Sequence, residues 1–312
     1  MNLKHKLMLL LPTKLIYKLY FSKKIPNWYR KFVGDIQIPN EIFDSLRDEI
    51  YKNRLNKQQI KDFLIKIQKE NAYKNKKIWD NYMEEILPKK YADLDLIIAR
   101  KSDLTAVIVE TRKHPHFKVV VKNVMLHLQH LNACLHIYHG TDNGDYIKEA
   151  LKEYKNINFI NLDVKNLDIE SYNKIMLSKE FWKGIESDKI LVFQTDAITF
   201  KPLNKKFLEY DYIGAPWKRH ICKKNKVAVG NGGLSLRSKQ MMLSIIKQNI
   251  PRKKNTPEDV YLCQIIKKQN YNLAPFDKAL EFATENIFNN QAFGCHKIWE
   301  ETTSEQLMKI LK

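Results

Sequence analysis

A chain of 312 residues, 44% hydrophobic and with only nine glycines and ten prolines, can bury a sizeable core, which excludes disorder over most of its length. Its formal charge of +19 favours polyanionic partners: nucleic acid, an anionic membrane surface or a nucleotide substrate. Four cysteines (Cys134, Cys222, Cys263, Cys295) without CxxC spacing argue against a disulfide framework and for a reducing, cytoplasmic setting, and no run reaches the ~18 apolar residues of a membrane-spanning helix.

The charge is concentrated at the amino terminus. Met1 to Gly34 contains no Asp or Glu, yet it carries Lys4, Lys6, Lys14, Lys18, Lys23, Lys24, Arg30 and Lys31 among leucines and aromatics. Such a segment suits peripheral contact with an anionic membrane, or a basic helix packed on its own domain. Lys14 and Lys18 interrupt the apolar stretch that a signal peptide would need. Ile42, Phe43, Leu46, Ile50 and Leu55 recur at helical spacing, and "KQQIKDFLIKIQKE" and "KKIWDNYMEEIL" continue the habit. Residues 1–95 are therefore expected to form a helical, basic appendage, and residues 96–312 a separate domain.

From Leu104 the pattern alternates. Short β-branched or apolar runs at Leu104 to Glu110, Cys134 to Gly140, Ile157 to Asp163 and Lys189 to Asp196 are separated by helical stretches such as "KVVVKNVMLHLQHL" and "DYIKEALKEY". Strands alternating with helices predict an α/β fold with a doubly wound, mostly parallel sheet and flanking helices. Ligands of such sheets bind beyond the carboxyl ends of the strands, where Glu110, Gly140, Asp163 and Asp196 fall. Four histidines, His127, His130, His136 and His139, lie on different elements without a completing Cys or carboxylate, so structural zinc is not expected there.

The second half carries five unusual words: "FQTDAI", "YDYIGAPW", "GNGGLSLR", "PEDVYL" and "FGCHKIW". Thr256-Pro257-Glu258-Asp259 reads as a helix start, with Thr256 as N-cap, Pro257 at the first position and acids in the first turn. The glycines of "GNGGLSLR" allow close backbone approach to a ligand, or a bulged strand. Trp217 offers either a face for a sugar ring or ordinary core packing.

In this order the words, with "VIVETRKHP" before them, resemble a family of glycosyltransferase sequences of nucleotide-diphosphosugar (GT-A) fold, known from bacteria, fungi and giant viruses. The resemblance spans roughly Leu104 to Trp299. It implies transfer of a sugar from a nucleotide diphosphate, expected to be UDP-linked, to a hydroxyl of a glycan, lipid-linked or protein acceptor, with Mn²⁺ or Mg²⁺ as cofactor and inversion at the anomeric carbon. The family's metal-binding Asp-x-Asp corresponds to Gln194-Thr195-Asp196. This departure leaves Asp196 as the ligand, with His296 as the second. The resemblance also implies Glu110, Thr111 and Arg112 near the nucleotide, Trp217, Asn231, Gly232, Gly233 and Arg237 near donor sugar and acceptor, and Asp259 as base with Glu258 as its alternative. Arg237 pairs with the diphosphate or with a surface acid. Competing readings are a basic nucleic-acid-binding protein and a non-catalytic membrane-surface scaffold.

Overall fold

A computed structural model describes residues 57–218, 221–222 and 225–312. The acid-free basic segment and the helical spacing from Ile42 to Leu55 lie outside the described residues. The chain divides into two compact units. In the first, residues 57–77 of helix α1 (Lys57–Asn81) lie against residues 299–310, which include α10 (Ser304–Ile310). Two asparagines one helical turn apart make the join: Asn71 and Asn75 both donate to the Thr302 carbonyl, at 2.8 and 2.7 Å, and Asn75 Oδ1 accepts from Ser304.

The second unit, Ile78–Ile298 with Leu311, holds a six-stranded sheet. Its strands are β1 (Leu104–Glu110), β2 (Cys134–His139), β3 (Ile157–Asn161), β4 (Lys189–Phe193), β6 (Tyr212–Ile213) and β7 (Leu234–Ser238), in the order β3-β2-β1-β4-β7-β6. The first four are mutually parallel, and β7 runs antiparallel to both neighbours. This is the mixed α/β fold with a mostly parallel sheet and flanking helices that the alternating pattern predicts. Val107, Val109, Ile190 and Val192 point to a core shared with Trp182, Met241, Met242, Ile245, Leu262 and Ile266 from the helices, while Ala106, Ile108, Leu191 and Phe193 on the other parity are equally buried. Both faces are covered, so these strands read as continuous apolar runs instead of alternating ones. Fully burying each such Val, Leu or Ile contributes about 1.5–3 kcal/mol.

From β1 the chain winds outward through β2 to β3, then returns to place β4 on the other side of β1. The strand order reverses there, and the crevice beyond the carboxyl ends of β1 and β4 is where open α/β sheets bind ligands. A second, three-stranded sheet stands beside it: β5 (Ala197–Thr199), β9 (Gly294–His296) and β8 (Ala283–Thr284), with β9 central. These short strands carry little sequence signal. Their register nevertheless fixes the site, because Ala197 pairs with His296 and Thr284 with Cys295.

The helix start at "TPEDVYL" differs from expectation. Pro257 occupies the N-cap position, not Thr256, and α8 runs Glu258–Lys268 without a side-chain cap. The Glu258 N–H instead donates to Asn173 Oδ1 of α5 (Ile169–Met176), at 3.3 Å, so a distant helix satisfies the group a local cap would have served. The four histidines serve four separate partners: His127 the Thr199 hydroxyl, His130 the Leu203 carbonyl, His136 Asn158, and His139 the Gly140 carbonyl.

Candidate functional site

Asp196 follows β4 by three residues and immediately precedes β5; His296 ends β9, paired with the next residue, Ala197; Glu285 follows β8. The small sheet thereby brings three side chains, from residues 196, 285 and 296, into one row. His296 Nδ1 meets Glu285 Oε1 at 2.9 Å, and His296 Nε2 lies 3.2 Å from Asp196 Oδ1. Lys297 Nζ stands 3.8 Å from Asp196 Oδ2. Burial pushes the Asp196 carboxyl up, but His296 and Lys297 outweigh it and hold the group down at about 2. Burial pulls His296 down, yet the Asp196 and Glu285 carboxylates raise it to about 9.

The Asp196–His296 ion pair lacks hydrogen-bond alignment, so Asp196 Oδ1 and His296 Nε2 are buried with only each other for a partner. That arrangement suits a divalent cation. Two ligands about 2.1 Å from an octahedral metal, at right angles, lie about 3 Å apart. The Glu285 contact on the far ring nitrogen is the usual support of a metal-bound imidazole. Among the described residues no group of three or more His, Cys, Asp or Glu is arranged as a metal cage. Two protein ligands suffice for Mg²⁺-type sites in which substrate phosphates and water supply the rest.

The glycine loop joins this pair to the second acidic cluster. Gly233 O accepts from Gln194 N–H at 3.0 Å. A Cβ on Gly233 would sit 2.1 Å from His296 Nε2, and one on Gly232 would sit 2.6 Å from Glu258 Oε1. The backbone approach that glycine permits here is thus toward the site's own side chains. Asn231 adopts a left-handed φ of 77°, and its Oδ1 accepts from Gly233 N–H and Leu234 N–H, while its Nδ2 is buried and unpartnered. Asp259 Oδ2 accepts the backbone N–H groups of Asn231 (3.0 Å) and Gly232 (3.1 Å), and Oδ1 that of Val260 (2.8 Å). Burial, then the Glu258 carboxylate, push the Asp259 carboxyl up to about 6.

Glu258 and Arg237 form a separate device. Arg237 Nη1 and Nη2 donate to the two Glu258 oxygens at 3.1 and 2.9 Å, and Nε donates to Ser235 Oγ. The side chains are 0% and 4% exposed. Arg237 therefore pairs with a buried acid, not a surface one, and all its donor nitrogens have a protein partner. Trp217 is 5% exposed, and a Cβ on Gly230 would strike its ring at 1.8 Å. Its environment is core packing beneath the glycine loop, not an open sugar platform.

At the end of β1, Glu110 accepts from Arg112 N–H and Nε through Oε1 and from Arg112 Nη2 through Oε2 at 2.7 Å. The Thr195 hydroxyl donates to Glu110 Oε2 across the β1–β4 switch point, at 3.2 Å. The Arg112 side chain is 62% exposed, so it keeps a surface toward solvent. The Thr111 hydroxyl is used internally, donating to Asn166 Oδ1 and accepting from Leu167 N–H. Gln194, Thr195, Asp196, Asn231, Gly232, Gly233, Glu258, Asp259 and His296 are thus gathered into one connected cluster, with Glu110 and Arg112 at its edge. Sequence reasoning missed Glu285 and Tyr172. Five buried side-chain polar atoms among the described residues lack a hydrogen-bond partner, and four of them (Tyr172 Oη, Asp196 Oδ1, Asn231 Nδ2 and His296 Nε2) belong to this region.

Residues 156–296 match a family model described as a protein of unknown function (DUF5672). No curated protein sequence matches the chain. The chain is similar to the crystal structure of galactosyltransferase LgtC in complex with donor and acceptor sugar analogs, at 11% identity and a TM-score of 0.39, with 66% of this chain and 95% of that one covered. A likeness at that distance assigns no residue.

Proposed function

We propose that this protein is a glycosyltransferase that takes a sugar from a nucleotide diphosphate, UDP in the first instance, and passes it to a hydroxyl acceptor with inversion. The observation that carries the reading is the gathering at the sheet's switch point of the Asp196–His296 pair with Asn231 Nδ2 and Tyr172 Oη, buried polar atoms without an aligned hydrogen-bond partner that a ligand or ion would complete. In this reading residues 96–312 are the catalytic domain, and residues 1–95 are the appendage.

Asp196 and His296, the latter once Nε2 has given up its proton, would hold Mn²⁺ or Mg²⁺, which when bound neutralises charge on the departing diphosphate. Glu285 accepts from His296 Nδ1 and so turns Nε2 toward Asp196. Arg112, with its charge partly exposed at the end of β1, adds attraction for the nucleotide's phosphates. Asp259 takes the proton from the attacking acceptor hydroxyl. The Asn231 and Gly232 N–H groups hold its carboxylate in place, and Glu258, committed to Arg237 on both oxygens, holds the start of α8 without touching substrate. A single displacement of this kind inverts the anomeric carbon.

Two measurements test the reading. In calorimetry of UDP with and without Mn²⁺, Asp196→Ala is expected to lose the metal-dependent part of nucleotide binding; an unchanged metal dependence in the variant would remove Asp196 from the site. In a pH profile, transfer should fall about tenfold per unit below about pH 6, where Asp259 gains its proton. A rate flat from pH 7 to pH 5 would exclude an Asp259 base.

A further inference from the structure

Among the described residues, several buried or half-buried tyrosine hydroxyls have protein partners. Tyr91 Oη accepts from Asn123, Tyr212 donates to the Asn231 carbonyl, Tyr261 to the Ile250 carbonyl and Tyr271 to Ser244. Tyr172 Oη is buried and has no such partner. A buried hydroxyl without a partner loses its hydrogen bond to water and gains none in return, so its retention calls for a reason.

Its position supplies one. Tyr172 lies on α5, whose start is capped by Asp168 accepting from Ser171 N–H at 2.7 Å. The next residue, Asn173, accepts from the Glu258 N–H and so ties α5 to the acidic start of α8. Trp182 Nε1 donates to the Met176 carbonyl and pins the helix's other end. The tyrosine ring packs on the hydrophobic core. The hydroxyl lies among the charges of Glu258, Arg237 and Asp196, beside the Gln194 side chain, and makes no aligned hydrogen bond to any of them. Burial first, and then the Glu258 carboxylate, raise its pKa above the ordinary tyrosine value, so the group stays an O–H donor at any working pH.

We infer that Tyr172 Oη–H donates a hydrogen bond to an oxygen of the bound donor substrate, a phosphate oxygen of the diphosphate or a hydroxyl of its sugar. The inference rests on the nucleotide-sugar reading and extends it to a residue outside all five sequence words. In this role Tyr172 trades stability of the free protein for affinity.

The test is Tyr172→Phe in the full chain, which removes one oxygen and leaves the ring. Melting temperature is measured without ligand, and binding of UDP and of UDP-glucose is measured by calorimetry in Mn²⁺. Free Tyr172→Phe is expected to melt at or above the wild-type temperature, while donor affinity falls about tenfold, the cost of one hydrogen bond to a charged or polar ligand atom. Weakening of both ligands identifies a phosphate oxygen as the acceptor; weakening of UDP-glucose alone identifies a sugar hydroxyl. Unchanged affinity for both, whatever the melting temperature, overturns the assignment. If the wild-type protein itself binds neither ligand, the nucleotide-sugar reading falls and the Tyr172 role falls with it.

Discussion

Arg237→Met should destabilise the folded protein by about 3–5 kcal/mol, because it strands the Glu258 carboxylate inside the fold. At roughly 2–4 °C per kcal/mol for a domain of this size, the melting temperature should drop by about 6–20 °C. Both side chains are essentially inaccessible, and the bidentate contact is complete. Burial alone would lower the guanidinium's affinity for its proton, but Glu258 more than offsets it, so the group is charged at every relevant pH. Glu258→Gln should cost a comparable amount from the other side. The double variant Arg237→Met with Glu258→Leu should recover much of the loss, since a buried ion pair repays its desolvation only marginally. Urea denaturation of the two single variants and the double variant measures the coupling. Single variants that each lose less than about 1 kcal/mol would mean that the pair is hydrated, and would return Arg237 to candidacy as a phosphate ligand.

The second large effect concerns Asp259. Asp259→Asn keeps the shape and can still accept the Asn231 and Gly232 N–H groups through its remaining oxygen, but it cannot take up a proton. Transfer should fall about 10²–10⁴-fold while nucleotide binding stays near wild type. Stability supplies an independent signature. The folded carboxyl titrates near 6 against an ordinary aspartate value of 3.8, so the folded state holds this proton more tightly than the unfolded chain does. Its contribution to stability is greatest below the lower value and declines as pH rises through the window between them. Asp259→Asn should flatten that decline. Near-normal turnover in the variant, or a product of retained anomeric configuration by NMR, would leave Asp259 with only the task of clamping the glycine loop.

The readable parts of this site share a cause. β1, β2 and β4 sit inside a sheet covered on both faces, so their sequences are unbroken apolar runs, and the residues just past them mark the carboxyl edge. Glu110 and Asp196 were visible for that reason. His296 and Asp259 were visible only through the resemblance of the words around them. Glu285 was not visible, because "ATENIF" is a two-residue strand followed by a turn, and nothing local says that its neighbour across the small sheet is a histidine's strand. Trp217 and Arg237 show the opposite failure. Each residue type suits a ligand contact, but whether a ring is open or lies beneath Gly230, and whether a guanidinium meets solvent or Glu258, depends on which segments pack over it.

By itself the sequence determined the α/β order of the elements and the mostly parallel sheet, and it marked the carboxyl edge as the candidate site, because these follow from the periodicity and burial of single segments. The tertiary structure alone decided the pairings. The strand reversal between β1 and β4 opens the crevice, and the β5–β9 register sets Asp196 beside His296. The approach of α5 to α8 leaves Tyr172 Oη buried and unpaired. Such pairings join residues tens to a hundred positions apart, and the energies that select them arise only when distant segments leave water together.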